Sequence, residues 1–64
     1  MAWLAIDKDG TEVIFKEKPE LSRGEEWIQN FMLDPDVMFV QLPKGTIEKI
    51  LGYKLTFETS PIEI

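Results

Sequence analysis

Apolar positions in this chain come in short runs, several of them continuous, separated by turn-forming residues. The first two, residues 3–7 and 11–16, are rich in aromatic and β-branched side chains and are joined by Asp7-Lys8-Asp9-Gly10. A short Asp/Gly connection between such runs predicts an antiparallel β-hairpin over about residues 2–16. Gly10 is placed to take the left-handed conformation that closes a type I turn with a bulge. Asp7 is placed to accept a backbone N–H at the first turn position. The register that follows sets Trp3 opposite Phe15, Leu4 opposite Ile14 and Ala5 opposite Val13. Alternation then puts Trp3, Ala5, Val13 and Phe15 on one face and Leu4, Ile6 and Ile14 on the other. Both faces are apolar, whereas a two-layer domain leaves one face wet. The second face therefore needs cover, from another part of the chain or from a partner subunit.

Residues 16–24 are polar and include Pro19, which reads as a connection. Residues 25–33 fit two patterns. Ser22-Arg23-Gly24-Glu25 resembles a helix capping box, and Trp27, Ile28, Phe31 and Met32 share one helical face. Against this, Asp34-Pro35-Asp36 is a turn sequence, and Val37-Met38-Phe39-Val40-Gln41-Leu42 behind it is a strand pattern. Two runs flanking a proline turn make a second hairpin, over about residues 25–42, and the strand reading is preferred because Asn30 and Gly24 weaken a helix. The unbroken apolar run at 37–40 fits a central strand or part of a subunit interface. At an exposed edge it would be an aggregation hazard.

One helix is expected, over about residues 43–51. Pro43 suits its first turn, with Thr46 an alternative N-cap. Pro43, Ile47, Ile50 and Leu51 form one stripe, and Gly52 sits where a left-handed C-terminal cap is wanted, with Tyr53 placed to pack back on the last turn. Residues 53–59 alternate loosely, Ser60-Pro61 interrupts them, and 62–64 reads as a short C-terminal strand whose end is docked. The fold class is α+β, mostly β, in a single small domain spanning residues 1–64.

At 64 residues the core is marginal, and with no Cys and no His neither disulfides nor the commonest zinc ligands are available to reinforce it. Self-association is the remaining route. The same absence removes the imidazole base of the usual serine and cysteine nucleophile machinery, and so short a fold leaves little volume for a ligand pocket. We therefore expect no enzyme, no cofactor and no bound metal. Asp7-Lys8-Asp9-Gly10 opens like a calcium loop, but Glu12 stands where the turn glycine belongs and Lys18 where the bidentate glutamate belongs. Lys44-Gly45-Thr46 lacks the glycine spacing of a phosphate loop. The net charge of −5 argues against a nucleic-acid partner, although Glu12, Glu17, Glu20, Glu25 and Glu26 could present carboxylates in place of phosphates. The apolar start, Met1 to Ile6, is too short to span a membrane and has no basic residue ahead of it, so the expected location is cytoplasmic.

Leu42-Pro43-Lys44-Gly45-Thr46-Ile47-Glu48-Lys49-Ile50-Leu51-Gly52, with Leu55-Thr56-Phe57 and Pro61-Ile62-Glu63 after it, resembles short hypothetical proteins carried by phages, prophages and mobile elements of gut bacteria. These similarly open with a tryptophan-containing strand and an Asp-Lys-Asp-Gly-like turn. The resemblance covers both ends of the chain and matches the middle poorly, chiefly through a tryptophan near position 27. Other members often carry an aromatic where this chain has Ile28 and a tryptophan where it has Phe57. The resemblance implies a phage or mobile-element accessory protein inside a bacterial host, and it implies no activity, cofactor or catalytic residue.

The residue pattern itself points to a protein-binding module. Trp3, Phe15, Trp27, Phe31, Met38 and Phe39 are a surplus of large side chains for so small a core, and form the candidate interface. The expected partner is another protein, including a second copy as a homodimer. An assembly subunit working by self-association and a nucleic-acid-mimicking inhibitor of a host enzyme are the alternatives.

Overall fold

The computed structural model of the chain describes residues 2–29 and 39–64. Strands β1 (Trp3–Ile6) and β2 (Glu12–Phe15) form the first hairpin, in the register expected from the sequence: Trp3 opposite Phe15, Leu4 opposite Ile14, Ala5 opposite Val13. Gly10 holds φ at 95°, and its N–H donates to the Asp7 carbonyl at 2.9 Å. The Asp7 N–H donates in turn to the Thr11 carbonyl at 2.9 Å, which completes the bulged turn. The turn carboxylate differs from expectation. Asp9, not Asp7, accepts the local N–H, from Thr11 at 2.9 Å. That hydrogen bond holds the Asp9 carboxyl below the usual carboxylate range.

Beyond the first hairpin come β3 (Glu20–Leu21), β4 (Trp27–Ile28), β5 (Phe39–Leu42), helix α1 (Thr46–Leu51) and β6 (Ile62–Glu63). The main sheet runs β5-β2-β1-β6, antiparallel throughout, and β3 and β4 make a separate two-stranded ribbon. The chain is α+β and mostly β.

The hairpin expected over 25–42 turns on residues outside those described. Trp27–Ile28 is strand, as preferred, and it pairs with Glu20–Leu21, inside the stretch read as a connection. Ser22 is the reason. Its backbone N–H and carbonyl bond Glu26 and Glu25, and its Oγ accepts the Glu26 N–H at 3.2 Å, while Glu25 adopts φ 61°. The residues that resemble a helix cap thus close a tight turn instead. β5 pairs with β2, setting Ile14 opposite Val40 and Phe15 opposite Phe39. The remainder of both expected segments, including Phe31 and Met38, lies outside the described residues.

The helix is shorter than expected because its start is fixed from outside. Gly45 stands at the N-cap with φ 91° and no side-chain cap of its own. Glu12 Oε2 accepts the Gly45 N–H at 2.7 Å, and Oε1 accepts the Ile47 N–H at 2.8 Å. An Ile47 N–H spent on Glu12 is not available to the Pro43 carbonyl, so the helix does not reach back to Pro43. At the other end Gly52 (φ 80°) caps as expected, its N–H on the Glu48 carbonyl at 2.8 Å, while Tyr53 is left exposed. Residues 53–59 form no strand. Thr56 and Thr59 bond each other's backbone and hydroxyl groups in a turn that buries Leu55.

The two apolar faces of the first hairpin both find cover within the chain. On one side Leu4, Ile47 and Leu55 are buried together, with Ile6, Ile14, Leu42, Leu51 and Ile62 around them. On the other, Ala5, Val13 and Phe15 are buried beneath Trp3 and Trp27. A partner subunit is thus not needed to complete either layer. Ala2 and Ile64 exchange backbone hydrogen bonds at 3.3 and 2.8 Å, which ties β6 to the start of β1.

Replacing Glu12 by Ala leaves two backbone N–H groups without their acceptor, at a cost of about 1.5–3 kcal/mol. For a domain this small the melting temperature should fall by about 10 °C or more. Glu12→Gln keeps one acceptor oxygen and should fall between, both read by thermal unfolding. A carboxyl NMR titration should place the Asp9 midpoint below that of a free aspartate. Since the folded value is lowered, Asp9 adds stability at neutral pH, and that part is lost as pH falls through the folded midpoint.

Candidate interaction surface

The described structure offers three features that could carry function: the turn end of the first hairpin, a cleft beside it, and an open sheet edge. At the turn end, strand alternation sends Glu12 to the face covered by the helix and Asp7 to the face covered by Trp27. Asp7 Oδ1 accepts the Trp27 N–H at 2.8 Å and so anchors β4. Ile6 donates its N–H to Ser60 Oγ at 3.0 Å, and the Ser60 hydroxyl donates to the Thr56 carbonyl at 2.7 Å. Each of these polar groups is committed to the fold. The carboxylates that resembled a calcium loop are therefore hydrogen-bonded to the backbone N–H groups of Thr11 and Trp27.

Beside this turn lies a cleft of about 520 Å³, larger than the chain length led us to expect. Lys8, Lys44 and Lys54 line it, but so do Glu12, Glu48 and Glu58. Lys8 is paired with Glu25, which with the nearby Glu58 charge raises its pKa. The opposed charges give the cleft no net preference for an anion. No group of three or more acidic side chains among the described residues is arranged to hold a metal.

Of the candidate interface residues, Phe15 is core, only 2 % exposed, and offers no surface. Trp3 is half-buried, with the Lys18 ammonium 5.6 Å from its ring centroid. Trp27 is half-buried too and leans on Phe57, with centroids 6.1 Å apart. Phe39 is exposed while still touching Phe15, at 5.6 Å between centroids. Phe31 and Met38 fall outside the described residues. The acidic surface loses Glu12 to burial, which leaves Glu17, Glu20, Glu25 and Glu26 exposed.

Among the described residues, β5 is one edge of the main sheet. Val40, which was not among the candidate residues, is 61 % exposed there, the highest among the large apolar side chains described. On the Trp27 side a hollow of about 250 Å³ is lined by Val13, Phe15, Trp27, Ile28 and Phe39. Hydrogen-bond parity shows which backbone groups point out of the sheet. The Asp7–Thr11 bond turns Thr11, Val13 and Phe15 toward β1, and the Ala2–Ile64 exchange turns Ala2, Leu4 and Ile6 toward β6. Glu12 and Ile14 must then face β5, where they meet Leu42 and Val40. That leaves the N–H and C=O groups of Phe39 and Gln41 pointing away from the sheet, with no strand beside them among the described residues. The opposite edge, β6, is better protected. It is two residues long, only Glu63 points outward, and Pro61 ahead of it has no N–H.

No protein-family model matches the chain, and no curated protein or solved structure is similar to it beyond chance. No helix among the described residues is long and apolar enough to cross a membrane.

Native-state hydrogen exchange should resolve the edge residue by residue. The Phe39 and Gln41 amides should exchange quickly, whereas Val40 and Leu42, bonded to β2, should be protected. Equal protection at all four would mean that the edge is covered.

Proposed function

We propose that this chain is a small acidic protein-binding module that recognises its partner by adding a strand to the β5 edge. One observation carries the reading. The main sheet ends in a four-residue strand whose backbone groups at Phe39 and Gln41 point outward with no strand beside them among the described residues, and it exposes apolar side chains on both its faces, Phe39 on one and Val40 on the other. In strand addition, main-chain hydrogen bonds supply affinity and pockets for alternate side chains supply selectivity. The hollow bounded by Trp27, Ile28 and Phe39 lies on the Phe39 face and suits the second role. Leu21 and Ile28 on the β3–β4 ribbon add exposed apolar area. The resemblance at residues 42–52 supplies the biological setting of the proposal, a phage or mobile-element accessory protein working in the cytoplasm of a bacterial host. Catalysis forms no part of it, because the polar groups at the turn end are occupied in holding the fold.

The test is capture on immobilised protein, comparing wild type with Val40→Lys and with Ile50→Lys, a substitution at another exposed apolar site on the helix. A specific partner, whether another gene product or an untagged copy of this chain, should be retained by wild type and by Ile50→Lys and lost with Val40→Lys. Identical retention by all three would overturn the reading.

A further inference from the structure

We infer that the strand received by β5 is the β5 of a second copy, joined antiparallel about a two-fold axis that passes between two Val40 residues. This rests on the proposed role of the edge, and it names the occupant. The parity of the free groups permits the pairing. With Phe39 and Gln41 both facing outward, a two-fold centred on Val40 sets Phe39 opposite Gln41 of the other copy, and Gln41 opposite its Phe39. Both pairs exchange N–H···O=C bonds, so the outward backbone groups of Phe39 and Gln41, which have no strand beside them among the described residues, are satisfied. Val40 then faces Val40 as a non-hydrogen-bonded pair, the arrangement in which cross-strand side chains come closest, and the most exposed large apolar side chain described is covered. The result is one continuous sheet of eight strands, its outer edges the two protected β6 strands.

Charge does not oppose a second copy at this edge, as it does at β6. The chain carries a net charge of −5, yet Phe39-Val40-Gln41-Leu42 contains no ionisable residue, so two copies meet here without a like-charge contact. At β6 the outward Glu63 would face its own copy. Three residues on each side, Phe39 to Gln41, fall short of a standard stable interface of about 1,200–2,000 Å², so the association is a concentration-dependent equilibrium. Because the rest of both surfaces is acidic, screening by salt should strengthen it.

The experiment is sedimentation equilibrium on the full chain from about 1 µM to 1 mM, at about 50 and 500 mM salt, for wild type, Val40→Lys, Val40→Glu and an equimolar mixture of the two variants. Wild type should dimerise within this range, and more tightly at the higher salt. Each variant alone puts like charges in direct opposition and should weaken the dimer by about tenfold. The mixture should form a heterodimer at least as tight as the wild-type dimer. Val40 is mostly exposed, so circular dichroism should show both variants folded. A wild type that stays monomeric to 1 mM overturns the inference, as does a dimer that neither variant weakens. If the wild type is monomeric while a foreign protein is still captured through Val40, self-pairing fails and the strand-addition reading stands; if capture fails too, both fall.

Discussion

The carboxylate of Glu12, buried at the start of β2, accepts the Gly45 and Ile47 N–H groups and so decides where the only helix described begins. A six-residue helix has too few internal bonds to hold itself. Its first N–H groups need an acceptor, and no side chain at the N-cap supplies one, since that position is Gly45. Placing the acceptor on a strand more than thirty residues away does two things at once. It satisfies the helix terminus, and it presses Ile47 onto Leu4 and Leu55, where all three are essentially removed from water.

Glu12 is one of three polar anchors gathered at the turn end of the first hairpin. Asp7 holds the β3–β4 ribbon through the Trp27 N–H, and Ile6 holds the 56–60 turn through Ser60. Alternation assigns Asp7 and Glu12 to opposite faces, so the hairpin carries one carboxylate for each layer packed on it. A chain this small cannot rely on apolar area alone, and charge-assisted bonds to backbone N–H groups are among the stronger interactions open to it. The same commitment ties the carboxylates of Asp7, Asp9 and Glu12 to backbone N–H groups of the fold.

In the proposed role, stability and recognition are separated along the sheet. Asp7, Asp9 and Glu12 near the turn accept backbone N–H groups of the fold, while Phe39 and Gln41 point their backbone groups outward with no strand beside them among the described residues. One edge of the sheet is shortened, charged and preceded by proline, and the other is none of these. Edges are normally blunted in several ways at once, and the proposed binding role rests on the unblunted one beside Val40.

The first hairpin was legible from the sequence because its information is local: the Asp/Gly turn sets the register, and period-two alternation sets the faces. Gly52 and the short strand at Ile62 were legible for the same reason, since a left-handed cap and a proline break act on their immediate neighbours. What the sequence did not reveal depends on distant partners. Ser22 looked like a helix cap because its spacing to Glu25 fits a capping box, but its Oγ accepts the Glu26 N–H instead, in the turn that lets Trp27–Ile28 pair with Glu20–Leu21. Glu12 looked like surface acidity, although its place in alternation with Ile14, on the face of Leu4 and Ile6, already marked it as inward. Val40 was passed over because a continuous apolar run does not say which of its members will be covered. By itself the sequence determined the turns, faces and caps, which rest on backbone conformation and side-chain period. Tertiary structure alone decided strand order, the start of the helix and which edge stays open, because those follow from long-range hydrogen bonds whose partners no local pattern names.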